Sequence, residues 1–257
     1  MKVSLSLLFL ATMASCGNAL ADDAKLDGQW RGSAGAALSA SSGNTQSSSV
    51  TVTADAVRQT ADDKLSLHGQ ILGSQSKSNG VTSTTANQWA AGTRYDHNIS
   101  ADTFGFGGLD FNHDQLEQLT LRSVVSGGLG YHLIKTPENQ LDLFGGVTYR
   151  ADQYSGAGVN INDQMKTSLN AVELLLGEES HHKLTESTSF KQRLEIDPNM
   201  SSDKGTRAEF DAGLLVAMSK TLSLNVTLQD RYNSLSEAPI KKNDLTFFTG
   251  VNVKFGN

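Results

Sequence analysis

Thr221-Leu222-Ser223-Leu224-Asn225-Val226-Thr227-Leu228 places Leu, Leu, Val and Leu on one side of an extended chain and Thr, Ser, Asn and Thr on the other. Successive side chains of a strand point to opposite faces, so this run reads as a strand with one apolar and one polar face. The same period recurs in Val50–Ala56, Lys64–Ile71, Gln140–Arg150, Arg207–Leu214 and Asp244–Phe255. These runs approach the length of a tilted transmembrane strand, about 9–11 residues.

Working outward from these runs gives about twelve strands. They fall at 28–40, 47–59, 64–75, 86–97, 102–112, 118–133, 139–152, 165–178, 183–197, 205–218, 221–232 and 243–256. Two segments read less simply. Gly105-Phe106-Gly107-Gly108-Leu109-Asp110-Phe111 changes parity partway, as a bulge at the glycines would make it do. Val172-Glu173-Leu174-Leu175-Leu176 reads nearly as well as a short helix.

The connections alternate in length. With the N-terminus in the periplasm, the even links are short: Thr60–Asp63, Asn98–Ala101, Ile134–Glu138 and Ser219–Lys220. The odd links are longer and rich in Gly, Ser and Asn, as in Ser76–Thr85, Gln153–Gln164, Pro198–Lys204 and Asn233–Lys242. Bacterial outer-membrane barrels show this asymmetry. On the same threading Trp30, Tyr95, Phe104, Tyr131 and Phe255 fall at periplasmic strand ends. Trp89, Tyr149, Phe210, Tyr232 and Phe247 fall at outer ends. Two aromatic girdles are expected where a barrel crosses two membrane–water interfaces. Lipid offers backbone groups no partner, so such a sheet must close. The expected fold is therefore all-β, a single antiparallel transmembrane β-barrel with short periplasmic turns and longer outer loops, occupying residues 22–257.

The first residues suggest how the chain reaches that membrane. Met1-Lys2, the apolar run from Val3 to about Ala14 and the segment Ala19-Leu20-Ala21 form the three parts of a signal peptide, with cleavage expected after Ala21. The single cysteine, Cys16, lies inside that segment. A lipoprotein signal is the competing reading, but Met13 is a poor residue at its position there. Past Ala21 no cysteine remains, so thiol and disulfide chemistry are excluded from the mature chain. The remainder carries 20 Lys and Arg against 27 Asp and Glu, an acidic balance that argues against nucleic acid as a partner. Negative mean hydropathy suits a periplasmic protein and an alternating barrel equally well. Periodicity separates the two.

Further residues carry a resemblance. They are Asp110-Phe111-Asn112-His113-Asp114-Gln115-Leu116-Glu117-Gln118-Leu119-Thr120-Leu121-Arg122, Gly127-Gly128-Leu129-Gly130-Tyr131-His132 and Gly177-Glu178-Glu179-Ser180-His181-His182-Lys183-Leu184-Thr185. Leu228-Gln229-Asp230-Arg231-Tyr232-Asn233-Ser234, Pro239, Lys241-Lys242-Asn243-Asp244 and Ser41-Ser42-Gly43-Asn44-Thr45 complete the set. The chain resembles the family of salt-induced outer-membrane proteins, also described as domain of unknown function 481, over nearly all of its mature length. That resemblance implies one outer-membrane barrel and a link to salt stress, and brings no catalytic or binding residues with it. Phe255 is followed by Gly256-Asn257, a departure from barrels that end on the aromatic residue read by the assembly machinery.

Three chemistries remain to weigh. An esterase needs a serine beside a histidine oriented by a third group. The six histidines, at positions 68, 97, 113, 132, 181 and 182, form no compact pattern of that kind, and His113 near the outer rim is the first to test. His181 and His182 follow Glu178 and Glu179, but adjacent histidines on a strand face opposite ways and do not chelate together. No metal and no cofactor is expected, and no enzyme.

The lumen charges form the third case. Arg94, Arg122, Arg150, Arg193 and Arg207 point inward, with Asp55, Asp96, Asp142, Glu195, Glu209 and Asp211. Mixed signs suit either a narrow polar channel with opposed charge ladders or an interlocked network that fills a structural barrel. The expected function is a narrow pore, or an envelope component used under salt or osmotic stress. The alternatives are an outer-leaflet lipid-modifying hydrolase and a closed binding barrel. Expected partners are outer-membrane lipid, lipopolysaccharide, the barrel assembly machinery and small solutes or ions.

Overall fold

The computed structural model describes residues 26–41, 45–78, 80–161, 163–200, 205–236 and 242–256. The proposed signal peptide and Cys16 lie outside them. The strands are β1 (Trp30–Ser41), β2 (Thr45–Gln59), β3 (Asp63–Ser78), β4 (Val81–Asn98), β5 (Thr103–Asp114), β6 (Leu119–Lys135) and β7 (Asn139–Tyr154). They continue with β8 (Val159–Ile161), β9 (Gln164–Lys166), β10 (Ser168–Lys183), β11 (Thr188–Pro198), β12 (Thr206–Ala217), β13 (Leu222–Asn233) and β14 (Asn243–Phe255). Twelve of these close an antiparallel barrel in the order β1-β14-β13-β12-β11-β10-β7-β6-β5-β4-β3-β2, and β8 and β9 form a separate hairpin in the connection from β7 to β10.

Alternation sets the two faces. Leu67, Leu109, Val125, Leu129, Leu143, Val147, Leu176, Val251 and Val253 face outward and stay exposed. The residues between them face a lumen. A belt of this kind is the lipid-facing surface of a barrel that spans a membrane. Trp30, Tyr95, Tyr131 and Phe255 ring one end on the outside, and Trp89, Tyr149, Tyr232 and Phe247 ring the other.

Phe104 departs from the expected girdle: it points inward and is 3% exposed. The same observation corrects the bulge expected at Gly107. Both ladders of β5 run without a shift through the glycines, and the irregularity lies further on, between Asn112 and Asp114. Parity changes in the sequence because Phe104 and Phe106 are apolar residues on the lumen side, whereas Leu109 and Phe111 are apolar residues on the lipid side. Val172–Leu176 is strand and not helix, its exposed and buried residues alternating within β10.

The five short turns share one construction. In each, a Ser or Thr opens a four-residue turn: Thr60–Asp63, Ser100–Thr103, Thr136–Asn139, Thr185–Thr188 and Ser219–Leu222. Its backbone N–H donates to the carbonyl of the fourth residue, at 2.8 to 3.0 Å in all five. Its hydroxyl accepts a backbone N–H from within the turn, as with Asp63 at 3.0 Å, Thr103 at 3.1 Å, Asn139 at 3.0 Å and Leu222 at 3.0 Å. Thr185 instead accepts from Ser187 at 3.2 Å. Side chains that mimic a backbone turn fix the reversal without a long loop.

At the opposite end the longest connections appear, but Ser76–Thr85 is not one of them. β3 and β4 stay paired up to Ser78↔Val81. That stretch is polar on both faces, so it lacks the alternation that marks the membrane-facing rungs.

Candidate functional site

Charge gathers in the lumen. Each of the expected inward residues lies on the lumen side of its strand, and pairing across strands sorts them into groups with different surroundings. Arg122, Arg150 and Arg207 belong to a continuous chain on the wall made by β6, β7, β10, β11 and β12. Arg122 donates to both oxygens of Asp152, at 2.8 and 3.0 Å. Arg150 donates to Asp152 and, at 3.0 Å, to Glu173. Arg207 reaches Glu173 at 2.7 Å and Asp197 at 3.3 Å. The Asp152 side chain has no exposure at all, and those of Glu173 and Asp197 are 1% exposed. Two-pronged guanidinium–carboxylate pairs fix geometry as well as charge, so this chain is a stiff strut against the wall.

Asp152, Glu173 and Asp197 escaped the sequence reading. Asp152 stands at the end of the expected strand, and Glu173 lies in the segment that also read as helix. The signal that marks them is spacing: Asp152 is two residues beyond Arg150, so both share a face.

Arg94 and Arg193 have different surroundings. Arg94 donates to Asp96 at 2.8 Å, and its guanidinium carbon sits 4.2 Å from the Phe106 ring centre and 4.9 Å from that of Phe144. Arg193 donates to Glu179 at 3.1 Å and to Glu195 at 2.5 Å, and its guanidinium carbon lies 4.8 Å from the Phe144 ring centre. Phe104, Phe106, Phe144 and Leu175 form the apolar cluster beneath them. Cations held over ring faces are attracted by the ring quadrupole. The rings find space because glycines lie opposite: a Cβ on Gly130 would stand 2.0 Å from Phe104, and one on Gly177 would stand 2.3 Å from Phe144.

The remaining expected residues are also paired, or line open space. Asp142 accepts from His132 at 2.7 Å. Asp211 lies 2.8 Å from Arg231, a lumen arginine that the sequence reading did not count among the inward charges, and Glu209 lies 4.0 Å from it. Asp55 lines a cavity beside His68, and His68 reaches over Gly92 to within 3.3 Å of Asp110. Outside the spanning rungs, the Arg31 guanidinium beside Asp27 holds that carboxyl well below the usual carboxylate range.

Among the described residues, empty space in the lumen includes three neighbouring cavities. One, about 100 Å³, is lined by Thr53, Gln70, Asn225, Gln229, Phe248 and Asn252 among others. A second, about 160 Å³, lies at the short-turn end beside Lys64, Asp96, Phe104 and His132. A third, about 50 Å³, lies beside Phe106, Ser126, Thr148 and Leu175. Their boundaries are ionisable side chains: Glu179 lines the first and second, His68 and Arg193 the first and third, and Arg94 the second and third.

His113 and His182, also singled out in the sequence, lie elsewhere. His113 faces outward, stacks on Trp89 at 6.2 Å and has Nδ1 3.0 Å from the Thr120 carbonyl. His182 pairs with Asn139 at 2.8 Å, close to the turn end. Among the described residues no three His, Cys, Asp or Glu side chains are grouped to hold a metal ion.

Comparison with known proteins gives a family and a set of shapes. A search of the curated proteins matched none. Among solved structures, an outer membrane channel from Pseudomonas putida F1 is 10% identical with a TM-score of 0.49, covering 90% of this chain and 96% of its own. The NanC porin is 8% identical with a TM-score of 0.47, over 88% and 99% of the two chains. The translocator domain of the autotransporter NalP from Neisseria meningitidis is 13% identical with a TM-score of 0.46, over 90% of each. Nothing about cargo carries over at these identities. The family model described as "Protein of unknown function, DUF481" matches residues 34–255, and the chain belongs to that family.

Proposed function

We propose that this chain is an outer-membrane barrel that passes ions or small polar solutes through a constricted lumen, without catalysis. The observation that carries the reading is the partition of the lumen. Its cavities share Arg94, Arg193, His68 and Glu179 as common lining, beside the packed rings of Phe104, Phe106 and Phe144. The Arg122–Asp152–Arg150–Glu173–Arg207–Asp197 chain holds the wall in shape, and the two arginines over Phe144 set the width. Mixed signs at the constriction favour size over charge as the basis of selection. Export through a signal peptide, contact with lipopolysaccharide, delivery by the assembly machinery through Phe255 and use under salt or osmotic stress complete the proposal. The last of these is supported by the resemblance noted in the sequence.

Planar-bilayer recording of the folded protein tests it. The wild type should give discrete steps that scale with salt, and Arg193→Ala should raise their size by joining the first and third cavities. Silence from both proteins, each shown to be folded, would assign the barrel to a closed structural role.

A further inference from the structure

The barrel is closed by its shortest ladder. β1 continues to Ser41 beside β2, and β14 begins at Asn243 beside β13. Yet the rungs that join β1 to β14 run only from Gly32↔Phe255 to Ala36↔Val251. Extending that register would pair Ala37 with Gly250, Leu38 with Thr249 and Ser39 with Phe248. Among the described residues no such rungs form; Ala37 still stands against Gly250, where an added Cβ would lie 3.2 Å from that of Ala37, and beyond that position the two strand edges face each other without ladder pairing. Every other neighbouring pair in the barrel stays in register over a longer run.

The place of this gap gives it a meaning. Phe255 marks the aromatic ring at the short-turn end and Phe247 the ring at the other, so the parted rungs lie in the half of the belt nearer the long loops. On the outside the gap is flanked by Leu38, 77% exposed, and by Leu245 and Phe247, 56% and 65% exposed. On the inside Phe248, on one of the parted rungs, lines the 100 Å³ cavity together with Ala90, Ala212 and Gly213. Hydrocarbon alone cannot satisfy the open backbone groups. A polar head can, while an apolar chain attached to it suits the residues on both sides.

We propose that the β1–β14 seam is a lateral portal, through which the acyl chain of an amphiphile in the loop-side leaflet enters the lumen cavity beside Phe248. This inference does not rest on conduction, and a silent barrel can still have such a portal.

An indole placed at Phe248 reports on it. The native indoles face lipid, so the background is Trp30→Phe with Trp89→Phe, and the protein is folded into phosphatidylcholine vesicles with or without brominated acyl chains. Phe248→Trp should lose emission in brominated vesicles, whereas Phe106→Trp, across the lumen, should keep it. From Asp22 onward the chain has no cysteine, so Leu38→Cys with Thr249→Cys can be oxidised to close the seam. Closure should restore the emission of the indole at position 248, and reduction should abolish it again. If that indole is no more quenched than the one at position 106, or if the disulfide leaves its quenching unchanged, the portal is wrong. A disulfide-linked dimer of the single variant Leu38→Cys, in a protein whose gel mobility shows a folded barrel, would assign the edges to a second copy of the chain and would equally overturn it.

Discussion

Asp152 is the residue on which the charged wall turns. It receives both prongs of Arg122, a further donation from Arg150 and the Tyr154 hydroxyl at 3.0 Å, with no exposure to solvent. Removing one member of a buried ion pair costs about 3–5 kcal/mol, because the partner is left charged and unpaired. Asp152→Asn keeps the shape and removes the charge that two guanidinium groups share. Urea unfolding in lipid vesicles should show a loss within that range, and a midpoint equal to the wild type would show that water in the lumen screens the pair. The arginines of this wall were legible in the sequence from parity alone. Their partners were less so, since Asp152 sits at a strand end and Glu173 in a run of leucines, where pattern alone leaves the conformation open.

At the level of the strands, glycines decide how closely β6 and β7 approach. Gly128 and Gly146 are paired on the lumen side, and a Cβ on Gly128 would stand 2.2 Å from the carbonyl oxygen of Gly145. That obstacle is backbone, so no rotamer relieves it. Gly128→Ala should cost about 1–3 kcal/mol or more, as overpacking does, read as a lower unfolding midpoint. Gly107→Ala, on the lipid side with its nearest contact at 3.9 Å, should leave the midpoint unchanged. An equal loss in both would point to chain entropy in place of the clash. The glycines were visible in the sequence as interruptions of a pattern. Which of them face the lumen followed only once Phe104 and Phe106 were placed inside.

For the molecule as a whole, the outward belt implies lipid around it. Val125 lies on β6 within that belt and is 51% exposed. An arginine near the middle of such a belt costs about 2–4 kcal/mol, against almost nothing near the interface. Val125→Arg should therefore lower stability in vesicles by that amount, while Gln46→Arg, exposed on β2 beyond the belt, should not. Equal tolerance of both would mean that water and not lipid meets β6.

Strand number, pairing of neighbours and the inward direction of Arg94, Arg122, Arg150, Arg193 and Arg207 were all contained in the sequence, because a period of two is a local property of each strand. Local order also carries the turns: one hydroxyl residue at the head of each short link is enough to reverse the chain. Tertiary structure alone decided which arginines lock together and which stand between cavities, since that depends on registers summed across several strands. It alone decided that the ladder between the first and last strands ends at Ala36 and Val251. Closure joins residues from the two ends of the chain, and no local pattern in either strand records how far they remain in contact.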